Sequence, residues 1–129
     1  MARENRSAIL RGAQVLIVED QYLIARDMER AVKAMGGQVA GSARGVGEAL
    51  GFLSTAPVDL VVLDIHLNGE NAFPVAMELI RRKVPFVLAT GYENWVLPEA
   101  LRGRPRIEKP VTVEGLRSAV EAVRAAKGS

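Results

Sequence analysis

The amino-acid sequence predicts an α/β domain, a parallel five-stranded sheet with helices on both faces. Short and almost wholly apolar runs, "VLIV" (15–18), "DLVVLD" (59–64) and "PFVLAT" (85–90), read as strands buried on both sides. Segments of helical period separate them, and this alternation of strand and helix signals a parallel sheet. At 129 residues the chain is the size of one domain, so one core must carry the function.

The elements follow in order. After "VLIV" a helix is expected from about Tyr22 to Met35, because Ile24, Met28, Ala31, Val32 and Met35 fall on one face; Gly36 and Gly37 stop it. "QVAGSA" (38–43) is a weaker strand, and "VGEALGFLS" (46–54) a weak helix because it holds Gly47 and Gly51. Beyond "DLVVLD" comes a loop, "IHLNGEN", then a helix from about Ala72 to Arg82 with Asn71 as its cap and Pro74 tolerated in the first turn. "NWVLPEAL" (94–101) reads as a short helix disturbed by Pro98, and "RIEK" (106–109) as a short last strand. Thr112 is placed to cap a final helix in which Val113, Leu116, Val120 and Val123 share a face. Residues 1–12 are expected to be a flexible lead and residues 13–126 the domain, with no output domain after it.

Composition removes several classes of chemistry. There is no cysteine, which excludes disulfides and thiolate sites, and a single histidine, His66, which excludes a His-rich zinc site. No apolar run reaches the roughly 18 residues of a membrane span, and "MARENRSAILRG" lacks the apolar stretch of a signal peptide. A cytoplasmic protein without a membrane partner is the expectation. The net charge is +2; the basic runs "RRK" and "LRGRPRIEK" come without interleaved aromatics or a DNA-binding motif, so they read as solvated faces, not as a nucleic-acid surface.

In open parallel sheets ligands sit beyond the carboxyl ends of the strands. The residues expected there are Glu19 and Asp20, Asp64, Thr90 and Lys109. Crowded carboxylates repel unless a cation joins them, and a hard divalent ion such as Mg²⁺ prefers oxygen ligands of this kind. Such an ion would let an anionic phosphoryl donor approach while one carboxylate attacks, with Lys109 and Thr90 holding phosphoryl oxygens. Taken alone, Glu19 and Asp20 could instead serve the dipole of the following helix.

The dipeptides "ED" (19–20), "LD" (63–64), "TG" (90–91) and "KP" (109–110), each at the end of an expected strand, resemble the receiver domains of two-component response regulators over about residues 13–126. The resemblance implies a flavodoxin-like fold with strand order 2-1-3-4-5. It implies Asp64 as phosphoacceptor, and as metal ligands Asp20, Asp64, Glu19 through water, and the backbone carbonyl of His66. Thr90 and Lys109 would bind the phosphoryl group, with a cis peptide between Lys109 and Pro110. Its partners would be a histidine kinase or phosphotransfer protein, and a homodimer through the fourth helix, fifth strand and fifth helix is a further implication.

"VPFVLATGY" (84–92) and "NGENAFPVA" (68–76) resemble a subgroup of stand-alone receivers, the FAT GUY regulators, with Leu88 where that subgroup has phenylalanine. Two departures concern mechanism. The usual proline in the loop after the phosphoacceptor is absent, and Ile107 stands where many receivers carry an aromatic switch; Tyr92 is the better candidate for that role. Tyr92, Trp95, Ile107 and Pro110 are therefore the expected switch and partner surface. The side chain of His66 reads as a gate for water ahead of a general base.

Three other functions compete. A flavodoxin-like cofactor binder would be repelled by "EDQ" after the first strand. An aspartyl phosphatase would want a second acid two residues past Asp64, where His66 stands. A receiver-like scaffold that binds partners without phosphorylation is the alternative that the residues leave open.

Overall fold

The computed structural model describes residues 9–91 and 97–128. Its elements are β1 (Gln14–Val18), α1 (Tyr22–Ala34), β2 (Gln38–Ala43), α2 (Val46–Thr55), β3 (Leu60–Asp64), β4 (His66–Leu67), β5 (Glu70–Asn71), α3 (Phe73–Arg82), β6 (Phe86–Thr90), β7 (Arg106–Glu108) and α4 (Val113–Gly128), with a 3₁₀ turn at Glu99–Leu101. The five-stranded sheet has the order β2-β1-β3-β6-β7 with every pairing parallel. Counting only the sheet strands this is 2-1-3-4-5, the flavodoxin-like order.

Strand alternation sorts the apolar side chains into two layers. Val15, Ile17, Leu60, Val62, Val87 and Ala89 face one side, where Met28 and Val32 of α1 and Leu116 and Val120 of α4 cover them. Leu16, Val18, Val61, Leu63, Phe86 and Leu88 face the other, under Leu53 of α2 and Val75 and Leu79 of α3. Because helices cover both faces, the central strands need apolar residues at every position, which is why "VLIV" and "LVVL" show no alternation in sequence.

Local chemistry sets the boundaries. α1 stops where Gly36 takes a φ of 85°, and Gly115 N–H donates to Thr112 Oγ1 at 3.0 Å to cap α4. Pro74 lies in the first turn of α3. That helix begins one residue later than expected: Ala72 is its cap residue, while Asn71 Oδ1 accepts from Phe73 N–H at 3.1 Å. Of the short helix expected at 94–101, residues 94–96 lie outside the described residues and Glu99–Leu101 forms only a 3₁₀ turn after Pro98. Residues 9–12 depart from the flexible lead assigned to 1–12. Leu10 is 1% exposed in the core, and its N–H donates to the Met35 carbonyl at 2.8 Å.

The segment read as a loop, "IHLNGEN", contains a small antiparallel hairpin, β4–β5. Asn68 and Gly69 at its tip have φ of 51° and 81°, the pair of left-handed residues that a two-residue hairpin turn requires and that Asn-Gly supplies at least cost.

Gly41 explains why β2 reads weakly as a strand. A Cβ there would lie 2.4 Å from Cε2 of the Phe52 ring, so α2 packs down on β2 only because position 41 has no side chain. Gly41→Val is expected to lower stability by about 1–3 kcal/mol through forced displacement of Phe52. Urea unfolding of the two proteins would measure this, and equal midpoints would show that the ring swings aside freely.

Candidate functional site

The register of the sheet assembles the site. Val18 pairs with Leu63, so Glu19 emerges one residue on, beside Asp64; Asp64 pairs with Ala89, next to Thr90; Thr90 pairs with Glu108, next to Lys109. Chain direction does the rest, since parallel strands end on the same edge. The alternation that turns Ile17, Val62 and Ile107 toward the α1 and α4 layer, carried two residues further, sends Glu19, Asp64 and Lys109 to that same side. β1 and β3 flank the point at which the winding reverses, where such sheets leave a crevice.

Glu19 is 1% exposed and Asp64 4%. Lys109 Nζ lies 2.9 Å from Glu19 Oε1 and 3.0 Å from Asp64 Oδ2, bridging the two acids. Glu19 Oε2 accepts from Gln21 N–H at 3.2 Å, and Asp64 Oδ1 accepts from His66 N–H at 3.2 Å. Asp20 is half-buried at the rim, and its Oδ2 accepts from the backbone N–H of Asn68 at 3.0 Å. One carboxylate oxygen from each of Glu19, Asp20 and Asp64 comes within 4.8 Å of the others. Among the described residues three acids face one ammonium, so the cluster is short of positive charge. All its donors are hard oxygens, which fits a divalent cation such as Mg²⁺.

The imbalance appears in the titration of Glu19. Burial pushes its carboxyl up from 4.5 to about 7, and the charge of Asp64 adds to this, while the hydrogen bonds from Lys109 and Gln21 offset only part. Lys109 moves upward: burial alone would lower it, but its hydrogen bonds to Glu19 and Asp64 outweigh that cost.

Thr90 ends β6 half-buried, and its hydroxyl donates to the Ile107 carbonyl at 3.4 Å. The carbonyl of Thr90 accepts from Lys109 N–H at 2.9 Å, fixing the root of the lysine beside the threonine. The peptide between Lys109 and Pro110 is cis. Ile107 does not belong to an exposed partner surface: it is 4% exposed, because β7 turns it inward while Arg106 and Glu108 face solvent. Pro110 is exposed. Tyr92 and Trp95 lie outside the described residues. His66 is half-buried beside Asp64.

Two features of the rim went unread in the sequence. Asn68 contacts Asp20 from the hairpin tip, and the Asn-Gly dipeptide was the signal that would have found the turn. Tyr22 and Leu23, at the start of α1 beside the acids, are 67% and 74% exposed; no periodicity singles them out.

Similarity to known proteins agrees with this geometry. The family model described as the response regulator receiver domain matches residues 15–121. The solution structure of SdrG from Sphingomonas melonis Fr1 is 35% identical, with a TM-score of 0.80 over 87% of this chain and 96% of that one. The solution structure of the BeF3-activated conformation of SdrG from Pseudomonas melonis Fr1 superposes with a TM-score of 0.73, also at 35% identity, covering 85% of this chain and 94% of that one. Among curated relatives, the transcriptional regulatory protein PdtaR of Mycobacterium tuberculosis is 27% identical over 84% of this chain and 55% of its own length. The phyllosphere-induced regulator PhyR of Methylorubrum extorquens is 34% identical over 63% of this chain and 32% of its own length. The chain thus spans about half the length of PdtaR and a third of that of PhyR.

The raised Glu19 carboxyl has a consequence for stability. Between pH 4.5 and 7 the folded protein holds a proton on Glu19 that the unfolded chain has released, so stability falls as pH rises through that window. Glu19→Gln cannot titrate there. In metal-free buffer it is expected to match the wild type near pH 4.5 and to exceed it by about 1–3 kcal/mol above pH 7. Denaturant melts at both pH values check this, and a gap that does not change with pH would refute it.

Proposed function

As the chain belongs to the response regulator receiver family, we propose that Asp64 accepts a phosphoryl group from a histidine kinase or phosphotransfer protein, with Mg²⁺ held by Asp20, Asp64 and the backbone carbonyl of His66, and by Glu19 through water. The observation that carries this reading is the convergence of three carboxylates and the Lys109 ammonium within one crevice. A structural salt bridge would balance its charges; this one leaves acid in excess, as a site awaiting a divalent cation does.

Asp64 Oδ attacks phosphorus in line with the donor's phosphoramidate bond. The new O–P bond forms as the P–N bond breaks, and its electron pair leaves with the imidazole nitrogen of the donor. Bound Mg²⁺ supplies charge neutralisation for the carboxylate and the phosphoryl oxygens. Lys109 shifts its ammonium from the Asp64 carboxylate to a phosphoryl oxygen, a charge-assisted bond at the same position. Thr90 gives up its long bond to the Ile107 carbonyl and donates its hydroxyl to another phosphoryl oxygen. Ile107 has no polar tip to follow that movement, so the signal leaves through the Thr90 side, toward Tyr92 and Trp95.

The output is a change in protein contacts or the draining of phosphate from a shared kinase. The face around the last strand and α4, with Pro110, is the surface proposed for a downstream partner or a second copy of the chain; Tyr92 and Trp95, proposed for the same role, lie outside the described residues. Tyr22 and Leu23, exposed next to the acids, suit the donor protein. The site works in the cytoplasm, with no contact to nucleic acid or membrane; no helix among the described residues is long and apolar enough to cross one.

Intact mass after incubation with a small phosphodonor tests the reading. One phosphoryl adduct is expected with Mg²⁺, none after chelation, and none on Asp64→Asn. Lys109→Ala should slow its appearance about 10- to 100-fold, the loss of one charge-assisted hydrogen bond. Adduct formation on Asp64→Asn at the wild-type rate would sink the assignment.

A further inference from the structure

The contact between Asn68 and Asp20 joins segments 48 residues apart, and two more contacts turn it into a strap. The Asn68 side-chain Nδ2–H donates to the Arg44 carbonyl at 3.1 Å, in the loop after β2. At the base of the hairpin, Ala72 N–H donates to the Ile65 carbonyl at 2.7 Å, directly after Asp64. Leu67, fully buried in the second apolar layer, anchors the first hairpin strand. One residue thus links the loops that follow β1, β2 and β3.

We propose that Asn68 is a positioning residue for Asp20: its backbone N–H occupies Oδ2 and would leave Oδ1 for the cation, while its side chain holds the hairpin tip in place through Arg44. This rests on the reading that the acid cluster binds Mg²⁺. The left-handed turn is what makes both bonds possible. With φ of 51° at Asn68, the backbone N–H points back at the β1 loop while the amide side chain reaches Arg44. Asparagine tolerates that conformation and carries a donor of the needed length, whereas glycine has the first property alone. Partners that orient a metal ligand typically affect affinity by about 10- to 100-fold. Asp20, half-buried at the rim and, among the described residues, with no ammonium beside it in the manner of Glu19 and Asp64, is the acid that most needs such a partner.

The experiment titrates Mg²⁺ alone into wild type and Asn68→Gly by calorimetry, then measures phosphorylation by a small phosphodonor at low and saturating Mg²⁺. Asn68→Gly keeps the turn but loses the hold on Arg44. It should bind Mg²⁺ about tenfold more weakly and label slowly at low Mg²⁺, yet reach the wild-type rate at saturation, a split that loss of folding would not give. Equal or tighter Mg²⁺ binding by Asn68→Gly overturns the proposal while leaving the phosphoacceptor reading intact; tighter binding would mean that the strap competes with the cation. A wild type that binds no Mg²⁺ overturns both. Amide hydrogen exchange supplies a metal-free check, since Asn68 N–H should be protected in the wild type and exchange freely in Asp20→Ala. Equal exchange in the two would also refute the strap.

Discussion

The ion pairs of Lys109 with Glu19 and Asp64 are the constraint on which the rest of the arrangement depends. Two nearly inaccessible carboxylates at adjacent strand ends would destabilise the domain if both were charged and unpaired, because burial and mutual repulsion act in the same direction. Lys109 makes their proximity tolerable. It comes from the strand at the far edge of the sheet, with the lysine N–H tied to the Thr90 carbonyl.

That compensation is incomplete, and the proposed function rests on the incompleteness. Among the described residues one ammonium stands against three acids, and burial holds the Glu19 carboxyl up at about 7. A site neutralised fully by its own side chains would have little to offer a divalent cation. This one is held together by Lys109 and, among the described residues, left short of positive charge; in the function proposed above, the same lysine would move to a phosphoryl oxygen when the carboxylate becomes an acyl phosphate. On that proposal, stability and signalling draw on one side chain.

Around this centre the scaffold differs from a bare sheet edge in one respect. The β4–β5 hairpin closes over the acid rim and gives Asp20 a backbone partner. A proline at position 68 would have no N–H to offer and could not take a positive φ, so the Asn-Gly turn and the contact to Asp20 come together. Ile107 shows the opposite case. The carbonyl of this residue serves Thr90 while its side chain fills the core between the sheet and α4, so any aromatic switch must lie elsewhere in the chain.

Most of the sheet was legible in the sequence, because strands buried on both faces leave unbroken apolar runs and glycine, proline and capping threonine mark where elements stop. Glu19, Asp20, Asp64 and Thr90 were legible for the same reason: each ends or closely follows such a run, and a parallel sheet brings those ends to one edge; Lys109 was legible only as the end of the short strand "RIEK" before Pro110. Other features could not be read from spacing. The burial of Leu10 depends on a hydrogen bond to the far end of α1, and the weakness of β2 on a phenylalanine ring pressed against Gly41. The inward turn of Ile107 depends on which way a three-residue strand faces. Sequence by itself determined the alternation of elements and the identity of the charged residues at the strand ends, since both rest on local pattern. Only the tertiary structure decided that one lysine bridges two of those acids and that Asn68 holds the third, because register and loop packing set distances between residues far apart in the chain.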